Sequence, residues 1–208
     1  MTQRIIALAG KKGSGKDTLA SLLYPRFERV AFADAVYREV VDAYCLEDAS
    51  FLRERTTKET PLARLCPICC DDSDFVEVLR GLGIQEYQAL SPRQVLQYWG
   101  TEYRQKKDGP YYWVDKVLDL IRLNPDVDYC VTDMRFPHEY SALFEFSLEE
   151  DDVQFDCVKL VRELEDDVTS THISETALEG YDIFTAVIVN PEQDPQAMVR
   201  SLKSISLV

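Results

Sequence analysis

Between positions 10 and 18 the chain reads Gly10-Lys11-Lys12-Gly13-Ser14-Gly15-Lys16-Asp17-Thr18, which fits the spacing G-x-x-x-x-G-K of a phosphate-binding loop. The chemistry served by this spacing is electrostatic. Glycines let successive backbone N–H groups converge on one anion. The helix that follows adds the positive end of its dipole, and the lysine places a mobile charge against β- and γ-phosphates. Gly13, Ser14, Gly15, Lys16 and Thr18 are therefore candidate nucleotide-binding residues, with Thr18 set to meet the α-phosphate. One position departs from the general pattern: Asp17 stands where Ser or Thr would offer a hydroxyl to Mg²⁺. A carboxylate is a harder, charged oxygen ligand, able to hold that metal directly or through water.

Two further sets of residues have types suited to phosphate chemistry. Asp133 and Arg135 follow the apolar-centred run Asp126 to Thr132. An Asp at such a strand end can orient Mg²⁺ or its water, and an Arg can clamp phosphate bidentately; an Asp–Arg ion pair is the plain alternative. The second set lies on a helix that opens at Ser91-Pro92, an N-cap followed by proline at the first helical position. At α-helical spacing Leu96, Trp99 and Tyr103 share one side, and Arg93, Gln97, Gly100 and Arg104 share the other. Gly100 in mid-helix costs about 1 kcal/mol relative to Ala, which points to a close approach there, and a nucleotide would satisfy it. An amphipathic helix with a wet face is the plainer reading. Arg53, Arg55, Lys58 and Arg64 make the preceding segment basic, to steer a phosphate or simply to be solvated.

These residues need a scaffold, and the hydrophobic pattern predicts one. Ile5 to Ala9, Arg29 to Ala33, Asp126 to Thr132, Asp156 to Val161 and Ile183 to Val189 read as strands. Helices are expected after the glycine loop, over about Ala35–Leu46, from Ser91, over Tyr111–Leu123, from His138-Glu139 and over Pro195–Ile205. Strands alternating with helices call for an α/β fold whose parallel sheet is covered on both sides. Residues 47–90 read as an insertion of short helices and loops.

Composition narrows the classes. The 208 residues carry a formal net charge of −14, which argues against direct nucleic-acid binding, although a local basic cleft can still hold a nucleotide. No apolar run is long enough to cross a bilayer and no secretory pattern opens the chain, so a cytoplasmic location without membrane association is expected. Cys66-Pro67-Ile68-Cys69-Cys70 invites a zinc reading, but no second C-x-x-C completes it. Scattered reduced thiols are the expectation.

The order and spacing of several blocks resemble the bacteriophage-type deoxynucleoside monophosphate kinases. The blocks are GKKGSGKDT, where that family also has Asp after the lysine; Ser91 to Gln97 leading into Gly100-Thr101-Glu102; Tyr112-Trp113-Val114; Thr132 to Glu139; and Thr171 to Glu175. The resemblance implies a single P-loop kinase domain over residues 1–208. It would have a parallel sheet of about five strands flanked by helices, a mostly helical acceptor-binding insertion at 34–110 and a short lid at 163–176. It implies transfer of the γ-phosphoryl group of ATP to a deoxynucleoside 5′-monophosphate, with Mg²⁺. Lys16, Arg135 and Arg162 would be catalytic, Asp17 and Asp133 would set the metal, and Asn190 would lie near the donor base. Ala33, Asp34, Arg93, Gln97, Glu102 and Arg135 would bind the acceptor. His172 would serve the lid, a helix cap or packing. The location would be the cytoplasm, a host's if the chain is phage-encoded, and a homodimer is an admissible assembly. Residues 47–90 depart from the pattern, which leaves base selectivity open. Alternatives are a kinase of hydroxymethylated bases in DNA, a kinase of another small molecule such as a coenzyme precursor, and a nucleotide-dependent switch or binding module.

Overall fold

The computed structural model describes residues 2–54, 56–162, 177–178, 180–191 and 194–208. The expected lid at 163–176, with His172 in it, lies outside the described residues, as does Arg55 of the basic segment. The chain divides into two compact units, Met1–Phe32 with Val114–Val208, and Ala33–Trp113.

The first unit is built on a five-stranded, wholly parallel sheet. Its strands are β1 (Gln3–Ala9), β2 (Phe27–Val30), β3 (Asp128–Val131), β4 (Val153–Arg162) and β5 (Ala186–Asn190), in the order β2-β3-β1-β4-β5. The run Ile5-Ile6-Ala7-Leu8-Ala9 is apolar at every position because β1 is central and both of its faces are buried. On one face Ile6 and Leu8 join Val158, Leu160 and Ile188 beneath Leu19 and Leu23 of helix α1 (Lys16–Leu23) and Met198 and Leu202 of the C-terminal helix Gln196–Ser204. Ile5 and Ala7 point to the opposite face and are equally buried. Burial of each such Leu or Ile contributes about 1.5–3 kcal/mol. The side chain of Gln3, buried at the start of β1, donates to the carbonyls of Asn124 (2.9 Å) and Val127 (2.8 Å) and so fixes the turn entering β3.

The second strand ends earlier than its apolar run predicts. β2 stops at Val30, and helix α2 (Phe32–Ala43) has begun by Phe32, so Ala33 and Asp34 sit in a first helical turn and not at a strand end. The cause is distant in sequence. Asp133 Oδ1 accepts the backbone N–H of Phe32 at 2.8 Å, satisfying one of the donors that a helix start leaves open and meeting its positive end.

The unit Ala33–Trp113 is mostly helical. It contains the rest of α2, the short helices α3 (Ser50–Arg53) and α4 (Ser73–Gly81), and α5 (Pro92–Gln97). Ser91 opens α5 with a full capping box: its hydroxyl accepts the Gln94 N–H at 3.3 Å and its N–H donates to Gln94 Oε1 at 3.0 Å. Beyond Gln97 the helix widens into a π-helix over Tyr98–Gln105 before a last α-turn, α6 (Lys106–Asp108). The unit's core gathers Leu52, Leu65, Leu79, Leu90 and Val95 with an aromatic trio in which Phe75, Trp99 and Tyr103 have ring centroids 4.7–5.6 Å apart. Asp72 ties the trio to α4, accepting the Phe75 N–H at 2.8 Å and the Tyr103 hydroxyl at 3.0 Å.

The wider π turn corrects the two-faced α-helix expected here. Gly100 is buried with Trp99 and Tyr103, and its carbonyl accepts the Trp113 indole N–H at 3.1 Å. The close approach at Gly100 is thus made by an indole of the same unit.

The cysteines are free thiols but less scattered than expected. Cys66, Cys69 and Cys70 crowd the Tyr44 hydroxyl, and Cys45, next to Tyr44 in the chain, donates to Asp71 Oδ2 at 3.1 Å. Only Cys130 and Cys157 stand apart, buried in β3 and β4.

Candidate nucleotide-binding site

The glycine loop joins β1 to α1, the strand–loop–helix context that its sequence requires. Two of its glycines are fixed by geometry. Gly15, the N-cap of α1, has φ +100°, and a side chain there would overlap the amide of Asn190. Gly10, at φ +145°, would drive a Cβ into the Leu160 carbonyl and the Ser14 hydroxyl. The loop is therefore packed down onto β4 and β5, and its Ser14 N–H donates to the Lys11 carbonyl at 3.2 Å. Lys16 folds back across this loop. Its Nζ donates to the carbonyls of Gly10 (2.6 Å) and Lys11 (2.9 Å) and to Ser14 Oγ (3.3 Å). Asp17 and Thr18 are exposed in the first turn of α1.

The expected residues of this unit all lie at the C-terminal ends of parallel strands. Gly10 follows β1, Asp133 and Arg135 follow β3, Arg162 ends β4 and Asn190 ends β5. Open α/β sheets bind ligands along this edge. An Nη1 nitrogen of Arg162 lies 3.9 Å from the point where a Gly13 side chain would begin, so its guanidinium stands over the glycine loop. Asn190 is buried beneath the loop, its Nδ2 donating to the Ser14 carbonyl at 2.9 Å. That contact is with the loop backbone, so Asn190 acts on the shape of the glycine loop. Asp133 is half-buried and holds the start of α2, as described above.

Glu139, which sequence reasoning passed over, organises the segment carrying Arg135. Its Oε2 accepts the backbone N–H groups of Arg135 (2.6 Å) and Phe136 (2.9 Å) at the N-terminus of helix α8 (Pro137–Glu149), which follows α7 (Tyr112–Leu123) and β3. Burial pushes its carboxyl up to about 7, and the neighbouring Asp133 charge adds to that, against the lowering effect of the two N–H groups. The signal was present: a Glu three residues after the position preceding Pro137 is the spacing of a capping box.

In the unit Ala33–Trp113 the expected acceptor residues are differently engaged. Asp34 Oδ1 accepts from Arg53 Nη2 at 2.8 Å, and that guanidinium lies 4.1 Å from the Tyr37 ring centroid. Arg93 is exposed, pairs with Glu59 at 2.5 Å and uses its N–H on the Lys58 carbonyl. Gln97 is exposed, and Glu102 pairs with Lys106 one turn on. A tighter assembly, unforeseen from sequence, centres on Glu39. Its carboxylate accepts from Trp99 Nε1 (2.8 Å), Arg104 Nε (2.8 Å) and the Tyr112 hydroxyl (2.5 Å), and burial together with that carboxylate pushes the Tyr112 phenol upward. Arg104 is thus locked by Glu39 and lies against the Tyr103, Trp99 and Tyr112 rings.

Among the described residues no three His, Cys, Asp or Glu side chains are placed to hold a metal ion, and no helix is long and apolar enough to cross a membrane. Asp17 stands in the first turn of α1 and Asp133 follows β3 with its Oδ1 engaged by the Phe32 N–H, so two carboxylates alone would fit Mg²⁺ only with waters or substrate oxygens completing the shell.

A protein of Acanthamoeba polyphaga mimivirus, provisionally named a deoxynucleotide monophosphate kinase, is 30% identical to this chain over 148 residues. The match covers 65% of the chain and 65% of that protein. The resemblance read from the motifs thus has a counterpart in a curated relative. A crystal structure of a sugar kinase from Janibacter sp. aligns over 100% of this chain and 96% of that one, at 15% identity and a TM-score of 0.46, a likeness too distant to bear on reaction or substrate. No protein-family model matches the chain.

Proposed function

We propose that the chain transfers the γ-phosphoryl group of ATP to a deoxynucleoside 5′-monophosphate. The observation that carries this reading is the strand-end assembly of the first unit: the glycine loop with Lys16 folded over it, and Arg162 standing above Gly13. Three features of one sheet edge thereby address phosphate oxygens at once. The name of the mimivirus relative supports the choice of acceptor.

Phosphoryl transfer asks a protein for position and charge compensation more than for covalent chemistry. The loop N–H groups hold the donor's phosphates. Lys16 exchanges its loop carbonyls for phosphate oxygens as charge develops, and Arg135 and Arg162 share that charge. The acceptor atom is itself a phosphate oxygen, ionised near neutrality, so no strong general base is needed. Mg²⁺, which Asp17 and Asp133 would hold through oxygen, supplies further charge neutralisation when bound. Asp34, Arg93, Gln97 and Glu102 are proposed to bind the monophosphate, with Ala33 beside them.

The test is a coupled ADP-release assay across the deoxynucleoside monophosphates, with hydroxymethylated duplex DNA as a parallel substrate. ADP release with one or more free monophosphates, and label from ATP appearing in the diphosphate, is the expected result. Label entering only the DNA, steeply lost with salt, would replace this reading with the DNA-kinase alternative. ATP turnover indifferent to every acceptor would replace it with a nucleotide switch.

A further inference from the structure

Cys66 and Cys69 are brought together by a single turn. Pro67–Cys69 is one turn of 3-10 helix capped by Cys66, and the Cys69 N–H donates to the Cys66 carbonyl at 3.0 Å. Such turns keep their first and fourth Cα atoms within about 7 Å, close to the roughly 4.4–6.8 Å that a disulfide spans. The side chains complete the approach, with the two Sγ atoms 3.4 Å apart against about 2.05 Å in a formed bond. Cys69 is exposed and Cys66 buried, so one sulfur can meet a reagent while the other waits behind it.

An independent observation points to the same place. Tyr44 is 4% exposed, and its buried hydroxyl has the Cys70 thiol as its hydrogen-bonding neighbour. The thiols of Cys66 and Cys69 lie near enough to act on it as well. A thiolate formed beside it would accept the O–H, so the hydroxyl is placed to stabilise the anion through which thiol–disulfide exchange passes.

We propose that Cys66 and Cys69 form a reversible oxidation site that reacts with a small-molecule disulfide to give an intramolecular disulfide. The Cys69 thiolate attacks one sulfur of the small disulfide, forming a mixed disulfide and releasing the first small thiolate, which takes up a proton. Cys66 then gives up its own proton and attacks the Cys69 sulfur, releasing the second small thiol. Two protein thiols are oxidised, and one small disulfide is reduced to two thiols. Cys70 stays out of the exchange, since burial pushes its thiol up to about 11. The contact with Cys66 holds the Cys69 thiol above its ordinary value, so exchange quickens as pH rises. The proposal stands independently of the phosphoryl-transfer reading.

The experiment equilibrates the full chain in graded mixtures of reduced and oxidised glutathione, followed by acid quench, alkylation, intact mass and peptide mapping. Wild type is expected to lose the mass of two hydrogens, reversibly, with the bond mapped to Cys66–Cys69. Cys66→Ser should stop at a glutathione adduct on Cys69, and Tyr44→Phe should slow the wild-type reaction. The wild-type map decides the matter even if a variant folds poorly. Wild type that stays reduced, that stops at the mixed adduct, or whose bond maps to another pair would overturn the proposal.

Discussion

Asn190 donates its side-chain amide to the carbonyl of Ser14 across 176 residues of sequence, at 2.9 Å, and so ties the end of β5 to the middle of the glycine loop. Its own Oδ1 is buried and finds no partner among the described residues, so the amide's orientation is set by that one bond. Asn190→Ala removes the donor and leaves the Ser14 carbonyl buried alone. The expected cost is about 1–3 kcal/mol in urea unfolding, with weaker ATP binding in calorimetry. Asn190→Asp should be worse on both counts, since a carboxylate would face a carbonyl. Full ATP affinity in Asn190→Asp would show that the loop keeps its shape without this tie.

Lys16 supplies a contrasting case. Its Nζ donates to three oxygens of its own loop, the carbonyls of Gly10 and Lys11 and the Ser14 hydroxyl. Lys16→Ala should therefore change thermal stability little, while lowering kcat by about 10²–10³ as for other lost transition-state charge partners. Near-normal turnover in the variant would remove the loop from the proposed donor site.

Glu139 makes stability depend on pH in the sense opposite to a salt-bridged carboxylate. Its folded-state value is raised to about 7, against about 4.3 in an unfolded chain. Between those values the folded state binds more protons than the unfolded one, so stability falls as pH rises through this window. The accumulated cost above pH 7 is on the order of 3 kcal/mol. Glu139→Gln keeps an oxygen for the Arg135 and Phe136 N–H groups but cannot ionise. Relative to wild type, its stability should improve steadily from pH 5 to pH 8 in chemical denaturation. Parallel pH profiles would mean that the carboxyl titrates normally.

The glycine loop, the parallel sheet and the strand-end position of Asp133 and Arg135 were legible because each is written in contiguous residues: an apolar run, a fixed spacing, a turn. What was not legible depends on partners far apart in sequence. The early start of α2 needs Asp133, about a hundred residues beyond Phe32. Glu39 reads as one more polar residue on a helix until Trp99, Arg104 and Tyr112 converge on it. The family resemblance put Asn190 near the donor base, and only the folded loop reveals its contact with Ser14. The π-helix was hidden for a different reason: one extra residue per turn leaves composition unchanged while rotating Gly100 from the wet face into the core.

Gly100 also gives a stability test. A Cβ built there would lie 3.9 Å from both Trp113 Nε1 and Val36 Cγ1, ordinary contact distances. Gly100→Ala therefore fits, and the lost backbone freedom of the unfolded chain should stabilise the protein by up to about 1 kcal/mol. Differential scanning calorimetry would show a raised Tm. A lowered Tm would mean that the indole needs more room at the Gly100 carbonyl than the structure allows.

The acceptor reading is tested by separating binding from turnover. A free mononucleotide presents a dianionic phosphate, and arginine is the side chain that meets such a group with paired, charge-assisted hydrogen bonds. Arg93 is exposed, and its partner Glu59 is equally open to solvent, so their ion pair contributes little and can be exchanged for a phosphate at small cost. Arg93→Ala should thus raise KM for the monophosphate about tenfold or more, leave ATP binding nearly intact and lower kcat little. Arg135, whose backbone is fixed by Glu139 at the sheet edge, is proposed to meet the transferring group. Arg135→Ala should therefore lower kcat more than it weakens binding of either nucleotide, since charge lost at the transition state appears in turnover. Steady-state kinetics with each substrate varied in turn distinguish the two patterns. Equal effects of both variants on KM for ATP alone would assign the arginines to the donor and leave the acceptor to other residues of the unit 33–113.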